Sequence, residues 1–226
     1  MSRKSPAADR ATPERIAEAA IALADEQGPA AVTFRAVAAR LGVPHATLQR
    51  RVTDSAGLLN LCADHLASRL PDIPAGSMDW AAATEARFTA LYRVLTAHPG
   101  LMALRGNRPW LGRHILARLV EPQLADNLAA GMSPRRAIAV YRGMYLATLG
   151  HASFVDHADP KAAVTASRVA LAGLDAEEFP VLTAHQDVIL DAVVDHEVFY
   201  GALRELVRAA GGEAGAGVGG GAGSGR

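Results

Sequence analysis

The stretch that decides the fold is residues 33–52, TFRAVAARLGVPHATLQRRV. Ala38 is small enough for two helices to cross closely, and Gly42 follows four places on, where a left-handed turn needs no Cβ. Pro44 suits the start of a second helix because a first-turn residue needs no backbone N–H. The residues predicted to face inward are Val37, Leu41, Val43 and Leu48. This spacing predicts a helix-turn-helix.

The second helix of such a unit lies in the DNA major groove and reads base edges with its first turns. Here it is predicted to expose His45, Ala46, Thr47, Gln49, Arg50 and Arg51. The same two-helix turn also occurs in all-helical domains that never touch DNA. From this stretch alone, both interpretations stay open.

The composition limits the classes of protein to which the chain can belong. Of 226 residues, half are hydrophobic and a fifth are charged, as in an ordinary globular protein. No apolar run is long enough to span a membrane, and no apolar segment follows the basic N-terminus, so neither a membrane anchor nor a secretory signal is expected. Cys62 is the only cysteine, which excludes an intramolecular disulfide and favours a cytoplasmic protein with a buried thiol.

The net charge of the chain gives no evidence for nucleic-acid binding, because its 23 Lys and Arg residues are balanced by 23 Asp and Glu residues. The first 70 residues carry a mild excess of two positive charges. Placement matters more, since Arg35, Arg50 and Arg51 all lie in or beside the predicted helix-turn-helix.

Hydrophobic periodicity predicts an all-α chain with no internal repeat. The pattern divides it into a flexible basic arm (1–11), a compact head with the helix-turn-helix (12–70), a larger helical domain (71–210) that opens on a linker (71–78), and a disordered Gly/Ala-rich tail (211–226). Helix caps are expected at Thr12, at Thr33, at Asp54 or Thr53, and at Ser133. Within the larger domain, the turn His98-Pro99-Gly100 closes one helix and Pro122 is expected to kink another. The last helices are predicted over residues 134–155, 160–171, 180–194 and 195–210.

The run PERIAEAAIALADEQGPAAVTFRAVAARLGVPHATLQRRV resembles the DNA-binding domain of the tetracycline-repressor (TetR) family of bacterial regulators. DWAAATEARF, GNRP, EPQLADNLAAGMS and LATLG look like parts of the ligand domain of the tetracycline repressor itself. The resemblance implies an all-α homodimer. Each chain would have a three-helix helix-turn-helix DNA-binding domain and a helical domain for ligand binding and dimerisation.

Carried over position by position, the resemblance implies DNA contacts at Thr33, Arg35, Pro44, His45, Ala46, Thr47, Gln49, Arg50 and Arg51. Arg35 matches an arginine that reads guanine, and Thr47 matches a phosphate contact. Gln49 and Ser55 depart from the pattern, since the family usually has a tyrosine and a phosphate-binding lysine there. We therefore expect an operator different from that of the tetracycline repressor.

In the larger domain the resemblance implies ligand-lining residues at Arg87, Leu91, Asn107, Arg108, Gln123 and Tyr145. The histidines that hold magnesium–tetracycline align with Leu104 and Pro71. Because leucine and proline cannot coordinate a metal, we predict a small organic effector other than magnesium–tetracycline.

Other chemistry finds no support in the sequence. The eight histidines form no metal-binding helix pair, and no nucleophile motif, P-loop or dinucleotide fingerprint occurs. We expect no catalytic residues, no metal and no cofactor, so the chain is not expected to be an enzyme. The favoured hypothesis is a repressor that leaves a palindromic double-stranded operator when a small molecule binds. The alternative is a helical ligand-binding or adaptor protein whose DNA-reading head has degenerated.

Overall fold

The computed structural model describes residues 10–105, 112–154 and 159–216, and within these ranges every regular element is helical. The N-terminal part, called the head here (residues 12–70), contains α1 (Pro13–Gln27), a 3₁₀ turn (Pro29–Ala31), α2 (Phe34–Leu41), α3 (His45–Gln49) and α4 (Ser55–Ala67). The all-α fold predicted from the sequence is confirmed.

The head begins its helices where the capping residues predict. Thr12 Oγ1 accepts from the N–H of Arg15 at 3.3 Å, and Thr33 Oγ1 accepts from the N–H of Ala36 at 3.1 Å. Asp54 caps α4 by accepting from the N–H of Gly57 at 2.7 Å. Each cap satisfies a first-turn donor that has no partner within its helix.

The turn between α2 and α3 is built on Gly42, whose φ of 63° and ψ of 39° are left-handed. Its N–H donates to the carbonyls of Ala38 and Ala39, which closes α2. Pro44 is the N-cap of α3, so the helix begins at His45, one place later than the sequence predicts. The helix-turn-helix is therefore present with the predicted turn.

A continuous apolar core joins α1 to α2, α3 and α4. Its buried side chains in the head include Ile16, Leu23, Val37, Leu48, Leu58, Leu59 and Leu66. Cys62 lies in this core, and burial raises the pKa of its thiol to about 12. The prediction of a buried cysteine is confirmed.

The remaining helices, called the C-terminal bundle here, follow the irregular segment 71–79. They are α5 (Trp80–Thr96), α6 (Pro99–Arg105), α7 (Arg113–Ile115), α8 (Glu121–Ala129), α9 (Pro134–Phe154), α10 (Pro160–Ala172), α11 (Pro180–Ala184), α12 (Gln186–Ala192) and α13 (His196–Ala216). α5 packs against α9 and α13, and the apolar core of the head continues into this bundle.

Pro122 disturbs its helix in a specific way. A π-helical turn, Leu116–Val120, separates α7 from α8, and Pro122 occupies the first turn of α8. Proline lacks the N–H of the regular ladder and its ring crowds the carbonyl four residues earlier, so the wider turn absorbs the mismatch. The predicted kink is thus a π-type insertion.

Two C-terminal boundaries differ from the sequence prediction. The single helix expected over residues 180–194 is two short helices, α11 and α12, which break at His185 (φ −123°, ψ 24°). The last helix continues to Ala216, so residues 211–216 are helical where a disordered tail was predicted. Gly211 lies against the Trp80 ring, where an added Cβ would stand 3.2 Å from the side chain.

No helix among the described residues is long and apolar enough to cross a membrane.

Candidate nucleic-acid interface and ligand site

Most of the predicted DNA contacts are exposed residues around the turn of the head. Thr33 caps α2, Arg35 lies in the first turn of α2, and α3 begins after Pro44. The exposed members of the predicted set are Thr33, Arg35, Pro44, His45, Ala46, Gln49, Arg50 and Arg51. The fold therefore brings together residues from both helices of the motif.

Thr47 is the exception, since only 9% of it is exposed. It precedes Leu48, which is fully buried, in α3. The prediction that Thr47 lies on the open face of the second helix is wrong. Its hydroxyl instead lies 3.4 Å from a guanidinium nitrogen of Arg50, at the edge of the surface.

Arg50 and Arg51 do not lie within the second helix, because α3 ends at Gln49. Arg50 folds back along it, and its Nε donates to the Ala46 carbonyl at 3.2 Å. This bond places the Arg50 guanidinium beside the helix. Arg51 follows in the turn and is exposed.

His45 is supported by a ring from the preceding helix. The Phe34 and His45 rings meet edge to face, with centroids 6.3 Å apart and planes at 68°. Phe34 is half-buried and packs on the core, so its contact restricts the orientation of the exposed His45 imidazole. The sequence analysis missed this contact, although an aromatic residue at the first position of α2 was visible.

The start of α4 has no cation of its own. Ser55 is its first residue and is exposed, while the Asp54 carboxylate occupies the N-terminal donors. The missing lysine is therefore not replaced locally. Arg50 and Arg51 are the nearest cations along the chain, five and four residues earlier.

In the C-terminal bundle, Arg87 and Gln123 belong to a buried polar network. Arg87 is 1% exposed and donates to Asp126 Oδ2 at 2.7 Å and to Gln123 Oε1 at 3.2 Å. Its guanidinium also donates to the Ile73 carbonyl at 3.0 Å. Asp126 accepts in turn from the N–H of Gly76 at 2.7 Å.

Gln123 extends the network to α9. Its amide donates to Thr84 Oγ1 and to Asn127 Oδ1, both at 2.9 Å, and Asn127 donates to the Ala137 carbonyl at 3.0 Å. Trp80 Nε1 also donates to Asn127 Oδ1, at 2.8 Å. The network thus fastens segment 71–79 and three helices together. This structural role of Arg87 and Gln123 was missed, because sequence spacing does not show which buried carboxylate an arginine meets.

The other described ligand-lining candidates are apolar or aromatic. Leu91 is fully buried and Tyr145 is 7% exposed. The Tyr145 ring stacks with Tyr141 at 5.7 Å, and Tyr141 lies 6.3 Å from Phe88. Burial raises the pKa of Tyr141, so its hydroxyl stays protonated at neutral pH. These rings form an aromatic wall in the bundle.

Asn107 and Arg108 lie outside the described residues. Pro71 is exposed just after the head, and Leu104 is half-buried in α6. In the parts of the chain that the structure describes, no three His, Cys, Asp or Glu side chains form a group able to hold a metal ion.

Comparison with known proteins agrees with this geometry. Residues 16–58 match the sequence profile of the family described as "Bacterial regulatory proteins, tetR family". The head is a TetR-family DNA-binding domain. The chain is also similar to the HTH-type transcriptional repressor DrrR1 of Streptomyces coeruleorubidus, with 36% identity over 103 residues. That match covers 45% of this chain and 38% of the relative's length.

Solved structures extend the likeness in fold across the C-terminal bundle. The TetR family protein ActR of Streptomyces coelicolor, in complex with actinorhodin, superposes with a TM-score of 0.72 and 22% identity over 93% of this chain and 98% of ActR. A TetR variant of Acinetobacter baumannii, in complex with minocycline, superposes with a TM-score of 0.59 and 19% sequence identity. The match covers 86% of this chain and 93% of that variant. The TetR-like fold therefore covers both the head and the bundle.

Proposed function

We propose that this chain is a DNA-binding transcriptional regulator, acting as a repressor that a small molecule releases from its operator. The observation that carries the proposal is the match of residues 16–58 to the TetR-family model, and it is supported by the intact turn at Gly42 and by the exposure of Arg35, His45 and Arg51. The similarity to the repressor DrrR1 supports repression of transcription over activation.

Direct base reading is assigned to Arg35 and His45. An arginine fork donates two parallel hydrogen bonds to guanine, and Arg35 is exposed in the first turn of α2. His45 begins α3 and rests on Phe34, so its ring is positioned before DNA binds. Arg50 and Arg51 supply positive charge for the phosphates, in place of the lysine absent at Ser55.

The proposed regulator is a homodimer that reads a palindrome. Large apolar side chains stay exposed on α9 and α13: Ile138 and Leu146 on α9, at 52% and 53%, and Val198 and Leu206 on α13. Covering both patches with a second copy would form a four-helix interface around a twofold axis. Two heads about 34–36 Å apart would then meet successive major grooves.

The proposed effector is a flat aromatic molecule. Phe88, Tyr141 and Tyr145 form a cluster of rings within the bundle, and a flat aromatic molecule that enters beside this cluster would stack on it. ActR and the Acinetobacter TetR variant have been solved with actinorhodin and minocycline, respectively. Arg87 and Gln123 would act mainly by holding the bundle together, and Asn107 and Arg108 remain the polar contacts proposed from the family resemblance.

The test is a gel shift of the purified chain on a duplex from its own upstream region, followed by addition of planar aromatic compounds. We expect a salt-sensitive shift that an effector reverses. Absence of any shift at low salt would instead favour the adaptor alternative, to which the departures at Gln49 and Ser55 point.

A further inference from the structure

A cavity of about 470 Å³ opens on the surface where the end of α5 meets the starts of α10 and α13. Its lining residues come from all three helices and include Arg93 of α5, Pro160 of α10 and His196 of α13. We call it the Arg93 cavity. It shares no lining residue with the aromatic wall of the bundle. Small-molecule sites in proteins occupy about 300–1,000 Å³, so this cavity has room for a ligand of its own.

Four side chains with hydrogen-bonding groups line the Arg93 cavity: Arg93, Thr96, His196 and Tyr200. Within the ranges that the structure describes, neither the Arg93 guanidinium nor the Tyr200 hydroxyl makes a hydrogen bond to another residue. Thr96 Oγ1 donates its proton to the Tyr92 carbonyl at 3.0 Å, which leaves its oxygen as an acceptor. The cavity therefore presents one cation and one hydroxyl donor that the protein itself does not use.

A buried aromatic contact holds two of these side chains in place. Tyr92 precedes Arg93, is 1% exposed and stacks on Phe199 with ring centroids 3.8 Å apart. The Tyr92 hydroxyl lies 3.0 Å from His196 Nδ1, and the Tyr92 ring meets the Tyr200 ring edge to face at 5.8 Å. Because the core fixes these rings before any ligand binds, little ordering of the cavity would oppose binding.

The charges beside the cavity favour a carboxylate ligand. Two acidic residues lie at its edge, but both carboxylates cap helices: Asp159 Oδ1 accepts from the N–H of Ala162 at 3.0 Å, and Asp195 Oδ1 accepts from the N–H of Glu197 at 2.8 Å. The Arg93 side chain is exposed and lines the cavity. A guanidinium pairs with a carboxylate through two parallel N–H···O hydrogen bonds, which gives both strength and direction.

The rest of the lining is apolar. Ala97 closes the cavity at the end of α5, Pro160 at the start of α10, and Val194 just before α13. The Tyr200 ring adds an aromatic surface beside its hydroxyl. Such walls bury a compact hydrocarbon body but offer no second cation. The lining therefore fits a molecule with one carboxylate at one end and an apolar body at the other.

We propose that the Arg93 cavity is a second small-molecule site, which binds an organic carboxylate. Arg93 pairs with the carboxylate, Tyr200 donates a hydrogen bond to it, and the apolar body lies against Ala97 and Val194. This inference goes beyond the proposed function, because the site is separate from the aromatic wall and its occupancy can be measured without DNA.

The test is isothermal titration calorimetry of the full chain with naphthoate and with naphthylmethanol, its neutral counterpart. We expect the wild-type chain to bind naphthoate about tenfold more tightly, because hydrogen bonds to a charged group are the stronger kind. Arg93→Gln should remove this preference, whereas Arg93→Lys should keep part of it, since lysine retains the charge but not the fork. Arg113→Gln, at an exposed arginine of α7 outside the cavity, is the matched control.

Amide hydrogen exchange with saturating naphthoate then locates the ligand. Exchange should slow in residues 93–97 and 194–200 of the wild-type chain and stay unchanged there in Arg93→Gln. Tyr200→Phe should weaken naphthoate binding about fivefold through the lost hydroxyl. No binding at millimolar concentration, or equal affinity for the acid and the alcohol, would overturn the inference. Protection in residues 141–145 without protection in 93–97 would also overturn it, because naphthoate would then occupy the aromatic wall.

Discussion

At the residue scale, Arg35 is the clearest candidate for reading a base. Replacing it with alanine should cost about 1–3 kcal/mol of operator binding and relax the preference at one base pair, because the lost contact is to a base edge. Competition binding against a set of single-base operator variants measures both effects. Arg168→Ala, which removes an arginine of α10 far along the chain from the head, is the control. A uniform loss across all sequences would instead make Arg35 a phosphate contact.

Gly42 is required by its backbone conformation. At φ +63° an L-residue is strained, while the nearest atom to an added Cβ is Arg10 Nη1 at an ordinary 3.6 Å. Gly42→Ala should therefore lower the free energy of unfolding by about 1–2 kcal/mol through the backbone alone. Urea denaturation measures this, with Gly173→Ala (φ −88°) as the control expected to change little. Equal effects at the two glycines would contradict the explanation.

Cys62 should be unreactive in the folded chain. Burial raises the pKa of the thiol to about 12 from an ordinary value of 9.0, so the folded state holds its proton while the unfolded state loses it above that ordinary value. Its contribution to stability is therefore fully present below the ordinary pKa and is lost as the pH rises toward the folded-state pKa of about 12. A thiol reagent at mildly alkaline pH should label the protein only in denaturant. Rapid labelling of the native chain would disprove the burial.

At the element scale, the buried ion pair between Arg87 on α5 and Asp126 on α8 holds segment 71–79 in place. Arg87→Ala would leave the Asp126 carboxylate buried without its cation and should cost about 3–5 kcal/mol of stability. Chemical denaturation tests this. Arg40→Ala, which breaks the exposed pair with Glu26, should have little effect because solvent screens that pair. A small loss at Arg87 would mean that water replaces the guanidinium.

The sequence predicts best those features whose determining residues are close together in the chain. The caps at Thr12, Thr33 and Asp54 and the turn at Gly42 depend on residues within four positions, and the structure confirms them. The burial of Thr47 depends on how α3 packs on the rest of the head, which no local signal marks. The Arg87 network and the contact of Gly100 with Asp25 join residues up to 75 positions apart, so periodicity alone cannot reveal them.

At the scale of the whole molecule, the exposed apolar patches on α9 and α13 predict a dimer. Ile138→Asp together with Leu146→Asp should convert the wild-type dimer into a monomer, since each carboxylate would have to be desolvated in the interface. Light scattering after gel filtration measures the mass. Leu128→Asp, similarly exposed on α8, should leave the mass unchanged. A wild-type monomer at micromolar concentration would contradict the twofold interface.

Regulation by this molecule depends first on the head binding a specific DNA sequence. The most direct measurement is a fluorescence anisotropy titration of the full chain on a labelled duplex from its own upstream region, against a shuffled duplex, at two salt concentrations. We predict binding at least about a thousandfold tighter to the natural duplex, weakening as salt rises. Equal affinity for both duplexes, or no binding at low salt, would contradict sequence-specific recognition by the head.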